Sequence, residues 1–211
     1  MSPQRNDARL QRPTPILVGV TGGIGAGKSV VCRIAALQGL PLYDCDIEAR
    51  RIMDSDMRIK QTLAQIAGQE VLRPDGEIDR LLLAKHLFAD ADVRRRVNEL
   101  VHVAVRSHLA EWVASLSAPA ALVESAILYT SGLDRMVDSI WLVDAPEQVR
   151  IDRVMKRSAL TAEQVKARIE AQRREFESLP AEKVSLVSND GLHPLLPQIE
   201  FLLNTILNTH A

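Results

Sequence analysis

The residues with the clearest chemical capability form a glycine-rich segment near the amino terminus, Gly-Gly-Ile-Gly-Ala-Gly-Lys-Ser at 22–29. A glycine, four residues of any type and then Gly-Lys-Ser is the pattern of a P-loop, which binds nucleotide phosphates. Glycines let backbone amides point at the phosphates, and the next helix adds the positive end of its dipole. In this pattern Lys28 reaches the β- and γ-phosphates and the Ser29 hydroxyl binds magnesium. We therefore predict a site for ATP and Mg²⁺.

A pair of aspartates, Asp44 and Asp46, follows the next predicted strand. Ligands of open α/β sheets bind at the carboxyl ends of the strands, so we expect the pair near the P-loop. A carboxylate there can accept the proton of an attacking hydroxyl or help to hold the metal. The residue types leave a structural role equally open, because Asp44 can N-cap the helix that follows. Both roles can hold, with Asp44 as the cap and Asp46 facing the site.

Basic residues crowd the segment 146–176, which includes Arg157 and Arg168. Like charges repel, so the cluster indicates either a solvated helix face or a polyanion partner. Beside a P-loop the partner is favoured, because phosphoryl transfer needs cations next to the migrating group. An arginine in that position accelerates transfer by about 10³–10⁵.

The elements that must position these residues alternate between strand and helix. Short apolar runs predict strands at 16–21, near 43, and at 120–124, 139–143 and 184–187. Helices are predicted at 29–38, through most of 44–116 apart from a turn at 73–76, and at 146–157, 161–176 and 194–208. Thr161 and Gln164 predict a capping box, and Val103 is expected on the apolar face of a long helix at 92–116. This alternation predicts a parallel sheet with helices on both faces.

Composition limits the functional classes. A net charge of -1 gives no general attraction to nucleic acid or to an anionic membrane. With 3% aromatic residues, stacking platforms for single-stranded nucleic acid are not expected. Two cysteines, Cys32 and Cys45, are too few for a disulfide framework or a zinc site.

The polar amino-terminal segment and the hydropathy of the chain favour a cytoplasmic protein. Residues 1–15 are polar and lack the apolar region of a signal peptide, so we predict a disordered leader. No apolar run approaches the roughly 18 residues of a membrane span. We expect one domain at 16–211 and a monomer.

The residues and spacing of these motifs resemble those of the dephospho-coenzyme A kinase family. The shared features are a strand followed by Thr-Gly-Gly-Ile-Gly-x-Gly-Lys-Ser at 21–29, then Asp-x-Asp with an arginine one helical turn later, here Asp44, Asp46 and Arg50. The resemblance covers nearly everything from 16 to 207. It implies transfer of the γ-phosphoryl group of ATP to the ribose 3′-hydroxyl of dephospho-coenzyme A, the last step of coenzyme A synthesis.

The resemblance also assigns roles to matching residues. It implies Lys28, Asp46 and Arg157 as catalytic residues, with Asp46 as the base and Arg157 stabilising transition-state charge. It implies that Asp44, Asp46 and Arg50 bind the acceptor and that Ser29 and Glu124 bind the metal. Glu124 can equally be a charged residue at the end of its strand with no functional role. The residues implied in nucleotide binding are Gly23, Gly25, Ala26, Gly27, Lys28, Ser29, Val30, Arg157, Arg168 and Asn189. Asn189 would contact the adenine end of ATP, or it belongs only to a turn between strand and helix.

The implied architecture is a three-layer α/β/α P-loop kinase fold with a helical insert for coenzyme A at about 46–117 and an arginine-rich lid at about 146–180. The chain departs from the family pattern at several positions: Val103 replaces the proline after His102, and Ala126, Thr130 and Ser158-Ala159 differ as well. Without that proline we expect His102 to be a partly buried structural histidine.

The sequence is also compatible with two other functions. The first is another small-metabolite or nucleoside monophosphate kinase on the same fold. The second is a nucleotide-binding regulatory module with little turnover, which would have no need of both Asp46 and the arginine cluster.

Overall fold

A parallel sheet forms the centre of the molecule. The computed structural model describes residues 14–209, so residues 1–13 of the predicted leader lie outside it. The strands are β1 (Ile16–Thr21), β2 (Leu42–Asp44), β3 (Ala120–Glu124), β4 (Ser139–Asp144) and β5 (Val184–Ser188). They pair in parallel in the order β2-β3-β1-β4-β5. The carboxyl ends of β1, β2 and β3 therefore lie side by side at one edge, which confirms the predicted α/β fold.

Helices occupy the connections between the strands. They are α1 (Lys28–Leu37), α2 (Cys45–Ser55), α3 (Met57–Ala67), α4 (Arg80–Ala89), α5 (Ala91–Ser115), α6 (Glu147–Arg157), α7 (Ala162–Ala171), α8 (Arg173–Glu177) and α9 (Leu195–Thr209). The long connection from β2 to β3 thus contains α2 to α5. Within residues 14–209, the structure has no helix with the length and apolar character needed to cross a membrane.

The side chains of β1 alternate between two cores, as the period of a strand requires. Val18 and Val20 are buried against α1 and α9 on one face. Leu17 is buried with Leu109 of α5 on the other face. The sheet therefore lies between two helical layers, which is the three-layer arrangement that the sequence predicts.

Aspartates cap the four α-helices between β2 and β3. Asp44, Asp56, Asp79 and Asp90 are the N-caps of α2 to α5, and each side chain accepts a hydrogen bond from an amide in the first turn. These N–H groups have no partner within their own helix, so the caps stabilise its start. Asp44 therefore fulfils the capping role that the sequence left open.

Two helical details differ from expectation. Val103 is 46% exposed, because it lies two residues from the buried Val105 and so on the opposite side of α5. The single helix predicted at 161–176 is interrupted at Gln172, which is the C-cap of α7 and precedes α8. The predicted capping box of Thr161 and Gln164 is confirmed at the start of α7.

We refer to α6, α7 and the turn between them (147–171) as the arginine hairpin. Its two helices enclose a small apolar cluster formed by Ile151, Val154 and Val165. The following short helix, α8, attaches this region to the loop after β3. There the carboxylate of Glu175, only 7% exposed, accepts hydrogen bonds from the amides of Tyr129 and Thr130 and from the Thr130 hydroxyl.

We predict that Glu175→Ala lowers the free energy of unfolding by about 2–4 kcal/mol, because three donors lose a charged acceptor. The measurement is urea denaturation, in which the midpoint should fall. Glu177→Ala removes an exposed carboxylate from the same helix and is the matched control, with an expected change within about 0.5 kcal/mol. Equal effects of the two substitutions would contradict this role for Glu175.

Candidate active site

The P-loop joins the end of β1 to the start of α1. Gly27 is the N-cap of α1 in the left-handed conformation, with φ 99°, and it has no side chain with which to cap. The amides of the first turn therefore face the loop and can bind an anion together with the helix dipole. Gly25 also requires glycine, because its φ is 79° and a Cβ atom there would lie 2.5 Å from the Arg150 carbonyl oxygen.

Lys28 lies over this loop. Its Nζ donates a hydrogen bond to the Gly22 carbonyl oxygen at 2.8 Å. Burial lowers the pKa of Lys28, while the negative charges of Glu124 and Asp46 oppose that shift. A partly desolvated ammonium group next to carboxylates is poised to exchange the carbonyl contact for phosphate oxygens.

A cavity of about 440 Å³ opens above the P-loop, and we call it the nucleotide cavity. It brings together loop backbone, two carboxylates and two arginines that are distant in sequence. Its lining residues are Gly23, Ile24, Gly25, Gly27, Lys28, Ser29, Asp46, Glu124, Ala126, Arg157, Arg168, Ala171 and Gln172. Most predicted catalytic and nucleotide-binding residues therefore meet in one place.

A second cavity, of about 360 Å³, lies between α2, α4, α5 and the loop after β3; we call it the acceptor cavity. Apolar side chains such as Met53, Val101 and Leu133 dominate its wall, with a few polar groups among them. Asp46 lines both cavities. One carboxylate thus stands where the two spaces meet.

The sheet register explains the cluster of carboxylates. Glu124 of β3 pairs with Val20 of β1 on one side and with Asp44 of β2 on the other. Asp44 accepts hydrogen bonds from the amides of Asp46 and Ile47, both at 3.0 Å, so its carboxylate is used within the chain. Asp46, in the first turn of α2, is exposed toward the cavities.

Burial sets the protonation of three groups near this edge. Burial raises the pKa of Glu124, whereas a hydrogen bond from the Cys32 thiol and the charge of Lys28 favour its ionised form. Burial also raises the pKa of Cys32, and the charge of Glu124 adds to the effect. Burial and the charges of Asp46 and Asp44 raise the pKa of Cys45. Both cysteines therefore remain thiols near neutral pH and are poor nucleophiles.

The oxygen atoms here suit a hard divalent cation. Ser29, Asp46 and Glu124 line the nucleotide cavity with one hydroxyl and two carboxylates, the ligand types that Mg²⁺ prefers. Among residues 14–209, no group of three or more His, Cys, Asp or Glu is placed to hold a metal. A magnesium ion would accordingly take further oxygens from the nucleotide and from water.

Several predicted residues lie elsewhere. Five predicted site residues do not line either cavity, namely Ala26, Val30, Asp44, Arg50 and Asn189. Asn189 donates a hydrogen bond to the Ala26 carbonyl oxygen at 2.7 Å and accepts one from Arg153 at 3.4 Å. This pair supports the P-loop from outside, and the contact of Asn189 with adenine stays a prediction. Arg50 is exposed on α2.

The sequence did not indicate two contacts of the P-loop. The Gln172 side chain accepts a hydrogen bond from the Ile24 amide at 2.9 Å, and Arg150 Nε donates one to the Ile24 carbonyl oxygen at 3.0 Å. Arg168 and Gln172 match the Arg-Ile-x-x-Gln pattern that the resemblance implies for the lid segment, but that pattern gave no contact with Ile24. His102 lines the acceptor cavity, and burial lowers its pKa, which favours the neutral imidazole.

Comparisons with known proteins agree with this geometry. The sequence model of the dephospho-CoA kinase family (CoaE) matches residues 16–193. A dephospho-CoA kinase of Porphyromonas gingivalis is 35% identical over 191 residues, 90% of this chain and 94% of the relative. One from Bacteroides fragilis is 37% identical over 186 residues, 87% of this chain and 89% of the relative.

A solved structure from Thermus thermophilus superposes with a TM-score of 0.75 at 31% identity, covering 93% of this chain and 98% of that one. The match of the family model and the extent of these alignments agree with the P-loop, the Asp-x-Asp pair and the parallel sheet. The chain belongs to the dephospho-CoA kinase family.

Proposed function

We propose that the chain transfers the γ-phosphoryl group of ATP to the ribose 3′-hydroxyl of dephospho-CoA, giving CoA and ADP. The observation that carries this proposal is the position of Asp46, which lines both the nucleotide cavity and the acceptor cavity. A hydroxyl placed beside Asp46 would lie next to phosphates held by the P-loop. That arrangement suits direct transfer between two bound substrates.

The nucleotide cavity supplies the groups that phosphoryl transfer needs. The amides of the P-loop and Lys28 bind the phosphates, while Ser29 and Glu124 would hold Mg²⁺, which would supply positive charge beside them. Arg157 and Arg168 add positive charge from the arginine hairpin. These cations stabilise the charge that spreads over the transferred group.

The acceptor cavity suits a long, partly apolar acceptor. Its apolar wall between α2, α4 and α5 would take the pantetheine arm, which carries methyl and methylene groups as well as amides. Asn98 and His102 offer polar contacts within this wall. The helical insert therefore selects the acceptor, while the P-loop selects the phosphates.

Catalysis then depends on Asp46 and on the exclusion of water. Asp46 orients the 3′-hydroxyl and accepts its proton as the new phosphate ester forms. The arginine hairpin acts as a lid that brings Arg157 and Arg168 to the phosphates and keeps water out of the site. Without that closure ATP would be lost to hydrolysis.

The first prediction concerns the acceptor. Mg-ATP should be converted to ADP rapidly with dephospho-CoA and slowly with nucleoside monophosphates, shikimate, gluconate or no acceptor. Coupled measurement of ADP release checks this result. Faster turnover with a different acceptor would retain P-loop kinase chemistry but reject the acceptor, and slow turnover with every compound would reject the kinase assignment.

The second prediction concerns the base. Asp46→Asn should lower kcat about 10²–10⁴-fold, because the amide cannot accept the proton, while binding of a fluorescent ATP analogue is retained. Asp56→Asn, at the other end of α2, is the control, since asparagine still caps α3 and activity should stay near that of the wild type. Near-normal kcat in Asp46→Asn would exclude Asp46 as the base.

The third prediction concerns the acceptor cavity. Ala49→Leu adds volume to its wall and should raise KM for dephospho-CoA about tenfold or more with little change in KM for ATP. Ala114→Leu places the same side chain on the exposed surface of α5 as a control. Steady-state kinetics with each substrate varied in turn separates the two constants. An unchanged KM for dephospho-CoA would place the acceptor elsewhere.

A further inference from the structure

Ile24, in the middle of the P-loop, is held by the arginine hairpin and its C-cap through three separate contacts. Its amide donates to Gln172 Oε1 at 2.9 Å, and its carbonyl oxygen accepts from Arg150 Nε at 3.0 Å. Its side chain packs against the buried cluster within the hairpin. The loop residue thus joins to both α6 and to the C-terminal end of α7.

The apolar contact makes Ile24 part of the hairpin core. Ile151 and Val154 of α6 and Val165 of α7 are 2%, 1% and 0% exposed. Ile24 and Ile169 pack against these three residues as partly buried members of the same cluster. Because buried apolar contacts are strongest when volumes match, the position of the hairpin depends on the side chain that the P-loop presents.

Gln172 lies where it can direct an arginine. It is the C-cap of α7, and Arg168 precedes it by one turn on the same face, so the two side chains are neighbours. Both line the nucleotide cavity. Holding Gln172 at the Ile24 amide therefore fixes the helix turn from which Arg168 extends.

We propose that Gln172 is a positioning residue, which latches the arginine hairpin to the P-loop at Ile24 and so sets Arg168 against the phosphates of ATP. This inference rests on the proposed function, since it assumes that the nucleotide cavity holds ATP. It adds a coupling between loop and hairpin. Phosphate binding orders the P-loop, and hairpin closure places the arginines. Because Gln172 joins the loop to the hairpin, these two steps occur together.

A simpler role makes a different prediction. If Gln172 only satisfies the Ile24 amide, its loss costs stability but leaves the arginine where it is needed. If phosphate displaces Gln172 from that amide, its loss leaves kcat unchanged or strengthens ATP binding. If Gln172 acts as a latch, its substitution lowers kcat strongly when Arg168 is present and only weakly when Arg168 is absent.

The test is a double-mutant cycle between Gln172→Met and Arg168→Ala. Methionine keeps the length of the side chain but cannot accept the hydrogen bond. We expect Gln172→Met alone to lower kcat about tenfold or more, and to lower it less than about twofold when Arg168 is already alanine. Gln65→Met, an exposed glutamine on α3, is the matched control and should leave kcat unchanged.

A fall in kcat of the same size in both backgrounds would overturn the latch, as would a kcat in Gln172→Met no lower than in the control. Thermal denaturation of each variant separates these kinetic effects from loss of folded protein. Activity of the wild type with dephospho-CoA is the separate test of the proposed function, so the two can fail independently.

A second measurement needs no acceptor. The arginine hairpin is rich in trypsin sites, and a non-hydrolysable ATP analogue with Mg²⁺ should slow cleavage there in the wild type. This protection should be lost in Gln172→Met and in Ile24→Ala but kept in Gln65→Met. Wild-type protection in both variants, or no protection in the wild type, would contradict the coupling.

Discussion

The structure depends on the backbone of the P-loop, whose amides can face phosphate only if its carbonyl groups are satisfied elsewhere. The chain supplies donors for these carbonyl oxygens from distant segments. Arg150 donates to Ile24, and Asn189 donates to Ala26. Each donor belongs to another element of the fold, namely the arginine hairpin and the loop after β5. The P-loop and the elements around it therefore form one structural unit.

The parallel sheet gives this unit its chemistry. Because β2 and β3 end beside β1, the carboxylates of Asp44 and Glu124 and the start of α2 lie at the edge where the P-loop begins. Asp44 caps α2 and so fixes the first turn that carries Asp46. The helical insert then encloses an apolar cavity on the far side of Asp46. A single carboxylate can consequently serve an acceptor in one cavity and a nucleotide in the other.

Local patterns predicted much of this architecture, because they record interactions within a few residues. The P-loop, the alternation of strands and helices and the capping box at Thr161 are of this kind, while the cap at Asp44 was one of two roles that the sequence left open. The remaining features depend on contacts between distant segments. Gln172 and Ile24 are 148 positions apart, and Glu175 bonds to Thr130 across 45. Residue types alone do not reveal such pairs. The expectation for Val103 was wrong for a local reason, because side chains two residues apart on a helix point in nearly opposite directions and Val105 is the buried one.

If Asp46 serves an acceptor in one cavity and ATP in the other, the ribose 3′-hydroxyl of dephospho-CoA receives the phosphoryl group. The most direct measurement uses a 3′-deoxy analogue of dephospho-CoA, which keeps every other group. We expect this analogue to compete with dephospho-CoA at a similar concentration, while mass spectrometry detects no phosphorylated product. A phosphorylated product from the analogue would mean that another hydroxyl receives the phosphoryl group and would contradict the account.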